Sequence, residues 1–179
     1  RRTPAAYSSA RNLERSSPNG VGLFMTDLKA LAHELLHEAQ QSLQANGHLN
    51  PTAIVITPTQ NLIFDVAYQN EGERDDIYSE IVEAALEKKA TAILTVDDVH
   101  LEGPGSPARL QGSGWGALSE SATEAIMVTI SGSGFETWSL MGPYYRKEDQ
   151  TVFQPAQEKP DPGGEVELLG DWTGSTGAA

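Results

Sequence analysis

The chain predicts an α+β fold, with two amphipathic helices packed on one face of a mixed or antiparallel sheet of about five to six strands. Three observations carry that expectation. Helical periodicity occurs in only two stretches, residues 28–45 and 75–89. The remaining apolar residues fall in short β-rich runs separated by Gly, Pro, Ser and Asn. The order of helix, two strands, helix, then three or four strands lacks the regular alternation that a doubly wound parallel sheet requires.

Met25, Thr26 and Asp27 look like the start of the folded region. Thr26 is expected to act as N-cap, and Asp27 to complement the helix dipole in the first turn. Leu28, Leu31, Ala32, Leu35, Ala39 and Leu43 then recur at helical spacing, and Gly47 stands where a C-terminal cap belongs. Residues 53–57 and 62–68 are β-rich and are parted by Pro58, Thr59, Gln60 and Asn61, a hairpin signature. A polar loop is expected over 69–74.

In the second helix, over 75–89, Ile77, Tyr78, Ile81, Val82, Ala85 and Leu86 form a stripe, with Glu80, Glu83 and Glu87 facing away. The run 92–96 is apolar without alternation, which predicts a central strand continuing toward Val99 and Leu101. Residues 102–123 are rich in Gly, Pro and Ser and read as a long loop around Trp115. Strands are expected at 125–130 and 135–141, joined by a turn from Ser131 to Gly134, with a last one at 151–153.

These elements define one domain over 25–154, between a disordered basic N-terminal extension (1–24) and a disordered acidic tail (155–179). The extension holds Arg1, Arg2, Arg11 and Arg15 against Glu14. With 179 residues, 39% of them hydrophobic, the chain can build one core. A formal charge of -13 opposes nucleic-acid binding. The chain has no Cys, so disulfides, thiolate metal sites and a cysteine nucleophile are excluded, and a reducing cytoplasmic setting is expected. No apolar run is long enough to span a bilayer, so no membrane partner is expected.

One string spells a chemistry: His33-Glu34-Leu35-Leu36-His37. On a helix, H-E-x-x-H places two imidazoles on one face to share a zinc ion, with the glutamate as general base. His33 and His37 are therefore the candidate metal ligands and Glu34 the candidate catalytic base of a zinc-dependent metallopeptidase. Three features oppose this. A helical wheel of about 100° per residue puts both histidines opposite the leucine stripe, on the wet face. Glu38 stands where zincins carry an uncharged residue, and Gln40 and Leu43 occupy the positions of the extended motif's Gly and third His. A third ligand would have to come from elsewhere, such as Glu80 or Glu83 on the second helix. Asp97-Asp98 is a weaker candidate for a divalent cation, and Tyr144-Tyr145-Arg146-Lys147 for a partner-binding patch. His48 and His100 read as isolated loop or strand-end residues, and Trp172 as the anchor of a short linear motif.

The stretch 28–153 resembles a class of small conserved bacterial and phage proteins of unassigned function. The shared features are the helix ending in Gly47-His48-Leu49 with Pro51 before the first strand, the segment 91–96, the segment 124–128 and the strand end Pro143-Tyr144-Tyr145-Arg146. That resemblance implies no activity, and it does not bring H-E-x-x-H with it. The element order is also similar to that of roadblock and profilin-like scaffolding domains, an analogy of topology only. Taken together, the expectation is a non-catalytic, soluble binding or assembly module without a cofactor, which meets a protein partner or itself through a sheet edge or exposed helix face. The alternative is the zinc hydrolase.

Overall fold

The computed structural model describes residues 25–101, 124–132, 136–160, Leu169, Trp172 and Thr173. Within them are two helices, α1 (Met25–Asn46) and α2 (Glu71–Glu87), and seven strands. These are β1 (Thr52–Ile56), β2 (Asn61–Asp65), β3 (Ala92–His100), β4 (Glu124–Gly132), β5 (Trp138–Lys147), β6 (Gln150–Phe153) and β7 (Gln157–Pro160). They form one antiparallel sheet in the order β2-β1-β3-β4-β5-β6, with β7 also paired to β5. The α+β class and the antiparallel sheet are as the sequence predicts, with slightly more strands. The basic extension at 1–24 and the long loop at 102–123 lie outside the described residues.

The placement of the helices corrects the expectation that both share one face. Along β1 the side chains alternate: Ile54 and Ile56 join Leu28, Leu35 and Leu43 of α1, whereas Ala53 and Val55 join Tyr78, Ile81 and Ala85 of α2. The helices therefore lie on opposite faces. Topology supplies the reason. Both β2 and β3 run antiparallel to β1, so they are parallel to each other, and the chain must cross a face over β1 to connect them. The connection contains α2, and α1 covers the other face. β1 and β3 are buried on both sides, which agrees with the central position predicted for residues 92–96.

Two glycines show the constraints on α1. Gly47 adopts φ 76°, and its N–H donates to the Leu43 carbonyl at 2.8 Å, a left-handed cap ending the helix. No atom lies within 4 Å of where its Cβ would stand, so the backbone angle alone calls for glycine. Gly142 on β5 is the converse, because a Cβ there would lie 2.7 Å from Leu36 Cδ1. Close seating of α1 on the sheet requires glycine at that position.

Other boundaries shift for local reasons. α1 begins at Met25, so Thr26 lies inside its first turn and is not the N-cap. α2 begins four residues before the expected start. Asn70 caps it by accepting from Glu73 N–H at 3.0 Å, while the Glu73 carboxylate accepts from Gln69 N–H at 2.8 Å. This variant of the capping box occupies the stretch expected to be loop. α2 closes with Lys89 at φ 53°, and Ala90 N–H donates to the Ala85 carbonyl at 2.8 Å.

The acidic tail is corrected wherever it is described. Gln157–Pro160 forms β7, and Leu169 and Trp172 are buried in the core beneath α2. The tail's scattered apolar residues find partners that its overall composition does not reveal.

Candidate functional site

The H-E-x-x-H residues sit on the outer side of α1. His33, Glu34 and His37 are all exposed, as the wheel indicates. His33 Nε2 donates to Glu158 Oε1 at 2.9 Å, because the carboxylate can only accept. The His33 ring also lies 6.3 Å from that of Trp138, over which the Lys29 ammonium sits at 4.8 Å. His37 Nε2 instead meets Gln41 Nε2, one turn along its own helix, at 2.9 Å. The nearby carboxylate thus engages one imidazole and not the other. Among the described residues, no three His, Asp or Glu side chains converge to hold a metal ion. Glu80 and Glu83 belong to α2, across the sheet from His33 and His37, so neither can complete the set.

Asp97 and Asp98 cannot share a cation either, since adjacent strand residues face opposite sides of the sheet. Asp97 is buried on the α2 face, and Asp98 points to the α1 side. There it joins a polar cluster at the end of the sheet. His100, Glu124, Tyr144 and Phe153 stand in register across β3, β4, β5 and β6. The fully buried Tyr144 donates its hydroxyl to Asp98 Oδ1 at 2.8 Å and packs on Phe153 at 5.9 Å between ring centres.

Asp98 keeps one side open to solvent, yet the crowding around its carboxyl group raises its pKa above the usual carboxylate value. The Tyr144 hydrogen bond pulls the other way, and Glu124 adds to the rise. Burial, and then Asp98 itself, push the Tyr144 phenol above its ordinary range. Arg146 donates to Glu124 Oε2 at 3.3 Å and to the Gly47 carbonyl at 3.0 Å, tying β5 to the end of α1. Tyr144 and Arg146, expected as part of a partner patch, thus serve in this latch. His48, predicted to be a loop residue, lies just beyond α1 and contacts the Asn46 carbonyl.

The sheet edges offer a different chemistry. Along β1–β2, Thr57 N–H donates to the Gln60 carbonyl at 3.2 Å and Val66 N–H to the Pro51 carbonyl at 3.0 Å. Antiparallel pairs alternate, so Leu62 and Phe64 exchange backbone bonds with Val55 and Ala53. The backbone groups of Ile63 and Asp65 therefore turn outward, and among the described residues no strand lies beyond them. β2 has no Pro, Lys or bulge, and its Leu62, Ile63 and Phe64 are partly buried on the two faces. The large apolar residues most exposed among those described, Tyr68 and Leu86, follow in the same β2–α2 unit.

At the opposite edge, Gln154 N–H donates to the Pro143 carbonyl at 2.8 Å, and Pro143 has no N–H to return. The register then slips by one residue between β6 and β7, a bulge that contains Pro155.

The tail supplies a further contact. Trp172 Nε1 donates to Ser131 Oγ on β4 at 2.9 Å, on the α2 face. The same face holds a hydrogen bond between the Thr129 and Ser139 hydroxyls at 2.8 Å. Sequence reading missed Glu158 and the Ser131–Trp172 pair. The one available signal was the pair of apolar residues, Leu169 and Trp172, standing out in a polar tail.

Comparison with protein-family models, curated proteins and solved structures returned no match.

Proposed function

We propose that this domain is a non-catalytic binding module that captures an extended polypeptide by adding it as a strand along β2. The outward backbone groups of Ile63 and Asp65, on a strand with an apolar centre and no Pro, Lys or bulge, carry this reading. An added strand would complete the hydrogen bonds of that edge and extend both apolar faces, using the partly buried Leu62 and Phe64 on one side and Ile63 on the other. The absence of Cys suits a reducing, cytoplasmic setting. No helix among the described residues is long and apolar enough to cross a membrane.

Ile63→Pro tests the reading directly. The Ile63 N–H points away from β1, so proline there spares the β1–β2 ladder while blocking the outer one. Peptides selected on the immobilised wild-type protein should lose binding to Ile63→Pro while the variant keeps its circular dichroism spectrum. Peptides that bind both proteins equally would overturn the reading. Light scattering over a wide concentration range tells whether a second copy of the chain can be the added strand.

A further inference from the structure

We infer that the strand added along β2 is β2 of a second copy of this chain, joined about a two-fold axis at Ile63. The inference rests on the reading of β2 as an open edge and names its partner. The strand, Asn61-Leu62-Ile63-Phe64-Asp65, is symmetric in character about its centre, with a polar residue at each end and three apolar residues between. In an antiparallel pair centred on Ile63, Asn61 stands opposite Asp65 of the partner subunit and Leu62 opposite the partner's Phe64. The two copies of Ile63 face each other on the axis. No carboxylate of β2 then meets another.

The phase of the ladder selects this register. Leu62 and Phe64 bond to β1, so the outward backbone groups belong to Asn61, Ile63 and Asp65. Centring on Ile63 matches all three with the three of the second copy, and each opposed pair exchanges two N–H to carbonyl bonds. Any slide that keeps donors facing acceptors leaves at least one of the three without its counterpart, and centring on Asp65 sets like charges against each other. Leu62 and Phe64 fall at the non-hydrogen-bonded positions, where facing side chains approach most closely. That pair extends the α2-side cluster which both residues already join, while the facing Ile63 side chains cover each other on the α1 side. The helices leave room for the junction. α2 packs over β1, and β1 of the two copies stand three strand spacings apart, roughly 14 Å. Two helices of about 10–12 Å diameter fit side by side at that distance. α1 seats over β3 to β6, away from this edge.

The test uses the full chain in about 0.5 M NaCl, which screens the repulsion between two copies of formal charge -13. Sedimentation equilibrium should show the mass rising from 19.2 kDa toward twice that value as concentration increases. Five residues per copy make a small interface, so the dissociation constant should be on the order of micromolar. Ile63→Pro should stay monomeric with an unchanged circular dichroism spectrum. Because the chain has no Cys, single introduced thiols report the register. Under mild oxidation Ile63→Cys should give a covalent dimer, since residues on the axis stand about 5.5 Å apart between Cα atoms. Asp65→Cys should not, because its counterpart lies four residues along the strand, roughly 14 Å away. Cross-linking of Asp65→Cys as readily as Ile63→Cys, or dimerisation of Ile63→Pro as tight as that of the wild type, would overturn the inference. A monomeric wild type, with selected peptides that bind it and not Ile63→Pro, overturns the second copy alone. Peptides that bind both proteins equally count instead against the open-edge reading itself.

Discussion

The two edges of the sheet are built to opposite ends. The β6–β7 edge is interrupted by a bulge at Pro155, faces a proline on β5, and is tied down through Glu158 to α1. Such features discourage further strand pairing. The β2 edge is straight, apolar and short of such features, with Ile63 and Asp65 directing backbone groups outward. Among the described residues one edge carries such features and the other does not, and the strand addition proposed above rests on that contrast. The difference lies in the phase of the ladder and the placement of prolines, not in overall hydrophobicity.

The largest effect that sharpens this comparison comes from breaking the ladder phase. Leu62→Pro removes an N–H that bonds to β1, leaves the buried Val55 carbonyl unpaired and should cost about 1–3 kcal/mol or more, whereas Ile63→Pro should cost clearly less. Urea denaturation of the two variants decides, and equal losses would mean that the phase is misassigned. On the other side of the sheet, Gly142→Val drives a side chain into Leu36 and should cost about 1–3 kcal/mol, read as a lower denaturation midpoint.

Next in size is a pH effect at the latch that closes the protected side. The Asp98 pKa is raised in the folded protein, so the folded state holds that proton more tightly than the unfolded chain. Its ionisation then costs stability as pH rises through the window between the ordinary carboxylate value and the raised one. Asp98→Asn should remove that loss, and melting temperatures across the acid range should show the variant gaining on the wild type as pH rises. A constant gap would contradict the assignment.

A smaller gain is expected at α2, the helix that follows the open edge. Lys89→Gly relieves a positive φ at the helix end and should stabilise the protein by about 0.5–1 kcal/mol in the same denaturation assay. The smallest effect belongs to the tie on the protected edge. Glu158→Gln removes an exposed contact to His33 and should change stability by less than about 1 kcal/mol. Added zinc should leave the melting temperature of wild type and His33→Ala/His37→Ala alike, and a shift confined to the wild type would revive the metal reading.

Where structure follows from neighbours in sequence, the chain was legible. The periodicity of α1, its cap at Gly47, the β1–β2 hairpin and the buried centre of β3 all follow from local spacing. The start of α2 is also written locally, in Asn70 and Glu73, although the polar residues around them carry no helical stripe. The sites were legible in residue type alone. That Asp98 meets Tyr144, that Glu158 meets His33 and that Trp172 meets Ser131 depends on pairs separated by 46, 125 and 41 positions.

The sequence by itself therefore determined the two helices and strands β1 to β6, because those choices depend on side-chain period and capping within a few residues, whereas β7 forms only by pairing with β5. Tertiary structure decided which face each helix covers and which edge stays open. It also decided where the tail docks and whether two histidines one turn apart find a common third ligand. Those outcomes follow from strand order and register, which bring together residues far apart in the chain and which no local pattern encodes.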